Sequence, residues 1–179
     1  MQYHLAPIPS SELREDLRVF GGPLDEIVSR RWPFATSRTI DLGAALLPPI
    51  TTAGFDVASR TVTWTTGAPV TPDVQVVSLS YTRNITKRFS WAVIASSELG
   101  SSFTIPQLPA DMPELMPLAT DRISGAVAQI KLGNGLSFAQ VESNIVQWLF
   151  TGYPNGIDPV NWAAAPANLD AMVRSNATF

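Results

Sequence analysis

FDVASRTVTWTTG (55–67), DVQVVSLSYTRN (73–84), KRFSWAVIAS (87–96) and SSFTIPQLP (101–109) run almost end to end through the middle of this 179-residue chain. Apolar side chains recur there at every second position: Val62 and Trp64; Val77, Leu79 and Tyr81; Phe89, Trp91 and Val93; Phe103 and Ile105. Successive side chains of an extended strand point to opposite faces, so this period buries one face and leaves the other to solvent. The solvent face is hydroxylated, with Thr61, Thr63 and Thr65, then Ser78, Ser80 and Thr82, then Ser90. The stretch predicts an antiparallel sheet with one face on a core that encloses both Trp64 and Trp91.

Outward from this centre, the same alternation predicts a first strand at 39–42 and a last one at 123–132, where Ala126, Ala128, Ile130 and Leu132 share a face. The small alanines there imply close approach by a second layer. Turn signals fall at 58–60, 67–72, 84–87 and 98–101, and a proline-rich corner at 107–120. Proline lacks an amide donor and marks strand ends and loops. The fold expected is a mainly β protein, an antiparallel β-sandwich of about seven to eight strands.

Residues 1–37 read as an irregular lead-in packed on the domain, 38–135 as the sandwich core, and 136–179 as a helix or loop appendage of the same domain. In the lead-in, Ser10 or Ser11 heads a short helix to Val19, with Glu12, Glu15 and Asp16 near its positive end and Gly21, Gly22 and Pro23 stopping it. Arg30, Arg31, Trp32, Pro33 and Phe34 read as a segment laid over one end of the sandwich, with a partner-binding patch as the alternative. In the appendage, Ser137 and Gln140 match a capping box, and Phe138, Val141, Ile145, Trp148 and Leu149 fall on one helical face. Residues 138–150 also fit a strand, and the helix is preferred; a further helical turn is expected at 169–174.

Charged residues make up only 15% of the chain against 45% hydrophobic, and the formal net charge is −3. No broad basic field exists to hold phosphates, which argues against nucleic acid. The chain has no cysteine, which removes disulfides, thiolate metal sites and cysteine nucleophiles together. No apolar run approaches the roughly 20 residues of a membrane helix. The opening residues carry neither the basic nor the apolar region of a signal peptide, which leaves a protein that stays inside or one whose leader lies outside this sequence.

Catalytic constellations are sparse. His4 is the sole histidine, and imidazole chemistry would have to run through it. Asp41, Asp56, Asp73, Glu98, Asp111, Glu114 and Asp121 can supply a carboxylate pair for glycoside hydrolysis or loop ligands for calcium, but turn capping is the ordinary role at such positions. Arg83, Lys87 and Arg88 form a basic loop tip that reads as solvation or edge protection. No catalytic, cofactor-binding or metal residue is assigned, and no cofactor is expected. Among the tryptophans, Trp32 and Trp162 lie off the main strands and are the candidate ligand-binding residues, since an exposed indole can stack on a sugar ring.

Over 39–132 the order Thr39-Ile-Asp-Leu, Phe55-Asp56, Arg60-Thr-Val-Thr-Trp64, Leu79, Tyr81, Phe89-Ser-Trp91 and Phe103-Thr-Ile-Pro-Gln-Leu-Pro109 resembles the fibronectin type III-like and carboxypeptidase-regulatory-like β-sandwich modules of exported bacterial proteins. The resemblance covers about half the chain. It implies a core tryptophan on a middle strand, no catalytic residues, and an extracellular or cell-envelope module for adhesion, ligand binding or spacing. A carbohydrate-binding module and a subunit of a self-assembling structure are the alternatives. A small acid-using hydrolase is a further one. The partners expected are a protein or carbohydrate surface ligand, or further copies of the chain.

Overall fold

The computed structural model describes residues 2–4, 12–21, 24–33, 37–39, 46–145 and 168–179. It is mainly β, with antiparallel pairing throughout the described strands. Strands β1 (Gln2–His4) and β4 (Ser37–Thr39) form a small two-stranded pair. β5 (Ile50–Asp56), β6 (Thr61–Thr66) and β9 (Ser102–Thr104) form a three-stranded sheet in that order. The large sheet has six strands, ordered β2 (Glu12–Gly21), β3 (Leu24–Pro33), β11 (Ala171–Thr178), β10 (Arg122–Leu132), β7 (Val74–Arg83) and β8 (Lys87–Ala95).

The alternation around Trp64 has the expected consequence. Ile50, Val62 and Trp64 from the small sheet pack against Val77 and Val127 of the large one. Leu79, Tyr81 and Ile105 continue that core, joined by the partly buried Phe55, Phe89, Trp91 and Phe103. Tyr81 and Phe89 are cross-strand partners, and their rings stack with centroids 5.1 Å apart. Each fully buried aliphatic side chain in this layer stabilises the fold by about 1.5–3 kcal/mol. The backbone N–H of Ile50 donates to Ser175 Oγ at 3.2 Å, fastening β5 over β11.

The large sheet is covered on its second face as well. Val74, Val76, Ala128, Ile130, Leu132 and Met172 point away from the small sheet and pack with Leu136, Val141, Ile145 and Leu169. The expectation of a single buried face therefore holds for part of β7, at Ser78, Ser80 and Thr82, and fails at its start. The layer implied by the alanines is the segment after β10, which contains α1 (Phe138–Val141). Ser137 N–H and Oγ both reach Gln140 Oε1, at 2.9 and 3.0 Å, as the capping pair predicts. Trp148 and residues 146–150 lie outside the described residues, as do 40–42 of the expected first strand.

Two expectations are overturned. The lead-in is not irregular and contains no helix over 12–19: β2 and β3 form a hairpin in register from Glu12↔Pro33 to Gly21↔Leu24. Local acid placement favoured a helix, but β3 is also paired to β11, and extending an existing sheet outweighs a capping preference. Residues 171–174 are likewise strand, not a helical turn. β11 lies between β3 and β10, and its buried Arg174 and Ser175 conceal the strand pattern.

Gly125 permits a close approach at the edge of this core. Its backbone exchanges two hydrogen bonds with Phe179, each 3.0 Å, and a Cβ added there would meet Phe179 Cζ at 2.3 Å and the Ser78 carbonyl at 2.6 Å. The backbone oxygen cannot swing aside. Gly125→Ala is expected to lower stability by about 1–3 kcal/mol in chemical denaturation, and adding Phe179→Ala should not restore it, because the Ser78 contact stays.

Candidate functional site

One line of side chains crosses the buried face of the large sheet and breaks its apolar character. Glu26 on β3 is opposite Ser175 on β11, Ser175 opposite Gln129 on β10, and Gln129 opposite Gln75 on β7. All four are at most 4% exposed. They share parity with Val77 and Val127, and so face the small sheet. Burial pushes the Glu26 carboxyl above its ordinary value, opposed in part by a hydrogen bond from the Leu47 backbone.

At the β7 end this polar row meets a cavity of about 540 Å³. The cavity exists because the small sheet is incomplete there. β9 pairs with β6 only from Thr61 to Thr63, and beyond that the Trp64 N–H is met by the Ser101 carbonyl at 3.1 Å. The space is bounded by Thr65 and Thr66 at the end of β6, by Pro69, Val70, Thr71 and Pro72 of the following loop, and by Ser97, Gly100 and Ser101. Trp64, Gln75 and Gln129 complete the wall. Gly100 has φ 73°, a left-handed conformation natural to glycine. Its carbonyl accepts from Gln75 Nε2 at 2.8 Å.

The chemistry of this wall is unusual in two ways. None of the lining side chains among the described residues is ionisable. Three of them hold a buried polar atom with no hydrogen-bond partner: Trp64 Nε1, Gln75 Oε1 and Gln129 Oε1. An unsatisfied buried donor or acceptor costs about 1–3 kcal/mol. Glu26 Oε2, at the far end of the row, is in the same condition. Each is an exception to the rule that buried polar groups find a hydrogen-bond partner.

The residues singled out by sequence lie elsewhere. Trp162 is outside the described residues. Trp32 is in β3, paired with Leu13 of β2. Trp91 is half-buried and its Nε1 donates to Tyr81 Oη at 3.4 Å. Trp64 is inward as expected, but it also walls the cavity, which alternation alone does not reveal. His4 is opposite Ser37 in β1. Nothing local in the sequence marks Gln75 and Gln129, since each is one polar residue among several in its strand. Their position on the inward period of β7 and β10 was the available signal.

Three of the candidate carboxylates, Asp56, Asp73 and Asp121, are committed to local structure. Asp56 accepts from the Ser59 hydroxyl and the Ala58 and Ser59 backbone, which holds its carboxyl below the ordinary value. Asp73 bonds Lys131 Nζ at 2.9 Å and the Leu132 N–H at 2.8 Å. Asp121 pairs bidentately with Arg83, at 2.9 and 2.8 Å, and accepts from the Leu118 N–H at 2.9 Å. Asp41 is outside the described residues. Among the described residues, no group of three or more His, Cys, Asp or Glu side chains is placed to hold a metal. Nor is any helix among them long and apolar enough to cross a membrane.

Arg83 corrects the reading of a solvated basic tip. Its guanidinium also donates to the Glu114 and Met116 carbonyls, at 2.8 and 2.7 Å, and lies 5.5 Å from the Phe89 ring centroid. It pins the proline-rich corner to β7. Tyr81 Oη adds a hydrogen bond to the Leu115 carbonyl. Comparison with known proteins finds no matching family model, curated protein or solved structure.

The Arg83 hydrogen bonds hold the Asp121 carboxyl below its ordinary value, with the Leu118 N–H adding to the effect. The stability this contributes is complete above the ordinary carboxylate value, about pH 4, and is lost as pH falls through the folded one. Asp121→Asn should cost about 1–3 kcal/mol at neutral pH. In urea denaturation across pH, its stability should also fall less steeply than that of the unaltered chain below about pH 4.

Proposed function

We propose that this chain is a non-enzymatic β-sandwich module that holds a small uncharged ligand in the cavity beside Trp64. The observation that carries this reading is the wall itself: a concave space lined, among the described residues, by hydroxyls, amides, prolines and an indole, with no ionisable side chain. A pocket with a few convergent polar groups in mixed apolar surroundings is the usual form of a small-molecule site. General acid–base chemistry requires a group able to exchange a proton near neutral pH, and hydroxyls, amides and an indole do not supply one. Of the acids that might have served, Asp56, Asp73 and Asp121 are engaged in turns and ion pairs. The resemblance of 39–132 to fibronectin type III-like modules supports an exported or cell-surface setting, where ligand capture and spacing are common tasks.

Gln129→Leu tests the reading, because the two side chains are close in volume and the change removes a buried orphan acceptor. If Gln129 is there to bind, the variant's stability should stay within about 1 kcal/mol of the unaltered chain, while binding is lost. A ligand-observed NMR screen of uncharged small molecules should give hits at Trp64 with the unaltered chain and none with the variant. Turnover of a hit, abolished by substituting a carboxylate pair, would overturn the non-enzymatic assignment.

A further inference from the structure

We infer that the outer edge of β8 is an assembly edge, which pairs antiparallel with β8 of a second copy of this chain about a two-fold axis at Ala92. The inference is independent of the cavity and of any ligand in it. β8 ends the large sheet: it is bonded to β7 on one side and to no strand among the described residues on the other. Alternate residues of such a strand aim their N–H and C=O groups outward, as a template for a further strand.

Proteins guard such edges with charge, proline, bulges or short length. The opposite edge of this sheet is guarded, since β2 carries Glu12, Arg14, Glu15, Asp16 and Arg18 among its ten residues. The β8 edge is not. It is nine residues long and pairs with β7 without a register shift from Lys87 to Ala95. From Phe89 to Ser97 the chain has neither a charge nor a proline. Phe89, Trp91 and Val93 share the period that faces the core, yet they are only partly buried where the large sheet ends.

Charge selects the occupant. Lys87 and Arg88 open β8 and Glu98 lies just past its end; all three are exposed, and none is ion-paired among the described residues. An antiparallel strand of the same sequence reverses that order, so each basic start meets an acidic end. With the axis at Ala92, Trp91 of one copy lies opposite Val93 of the other, and Lys87 opposite Ser97, next to Glu98. An axis normal to the sheet keeps every residue on its own face, so the apolar periods of the two copies join. A foreign strand would have to match both the apolar alternation and the reversed charges.

Ile85 is a second sign at the same edge. It is 95% exposed and has φ 65°, an outlying conformation for a β-branched residue. Glycine or asparagine would suit this hairpin tip better. In the paired register it reaches toward the Ser97–Leu99 turn of the other copy.

The test is sedimentation velocity of the full chain over a wide concentration range, with hydrogen exchange followed across 89–95. A reversible dimer is expected, with exchange in β8 slowing as it forms. Ala92→Lys sets like charges against each other at the axis. Because Ala92 is exposed, the variant should keep the monomer's urea midpoint while associating at least tenfold more weakly. Lys87→Glu should weaken association about threefold, and Lys87→Glu combined with Glu98→Lys should restore it. A chain that is monomeric at every concentration, a dimer indifferent to Ala92→Lys, or a double reversal that fails to restore association would each overturn the inference. So would a monomer whose β8 amides shift with an added blocked valine–threonine peptide, which would give the edge to a foreign strand.

Discussion

From Val127 to Ile130 strand β10 is covered on both faces, and most of the molecule is arranged to keep it so. Val127 and Gln129 face the three-stranded sheet, while Ala128, Ile130 and Leu132 face the segment that contains α1. A strand in that position can leave no backbone amide unpaired, because no water reaches it. β7 on one side and β11 on the other supply the partners over its whole inner length. This explains why segments at both extremes of the chain, β2 with β3 and then β11, join one sheet with the middle. Six strands are present where the central alternating stretch alone supplies two, β7 and β8.

Against that apolar background the Glu26–Ser175–Gln129–Gln75 row is costly. Leucine or valine at those positions would pack as well and leave no orphan atoms, so stability does not account for the choice. Ser175 has a structural use, since it anchors Ile50. Gln75 has part of one, through Gly100. The remaining acceptors and the Trp64 indole have no partner among the described residues. Trp64, Gln75 and Gln129 lie beside the space where β9 stops short. Binding is the economical account of a costly feature placed beside a cavity.

The Arg83–Asp121 pair belongs to a different class. It joins a side chain of β7 to the end of a long corner that holds one 3-10 turn, Pro113–Leu115, with the Leu118 amide and the Glu114 and Met116 carbonyls completing the set. Each guanidinium nitrogen and each carboxylate oxygen has a partner, so the pair secures the corner. The contrast between a fully satisfied ionic cluster and an unsatisfied neutral one separates scaffold from site in this molecule.

The amino-acid sequence by itself determined the mainly β class, the hairpins at 58–60 and 84–87, the proline corner, the capping pair at Ser137 and Gln140, and Trp64 as an inward residue. Those features depend on local periodicity and turn chemistry, which neighbouring residues specify. Only the tertiary structure decided that 12–33 and 171–178 are strands, because their pairing partners lie far along the chain and their buried Glu26, Arg174 and Ser175 mimic surface residues. It alone decided the site as well. Gln75 and Gln129 are 54 positions apart, and nothing but the β7–β10 register makes them neighbours on one wall.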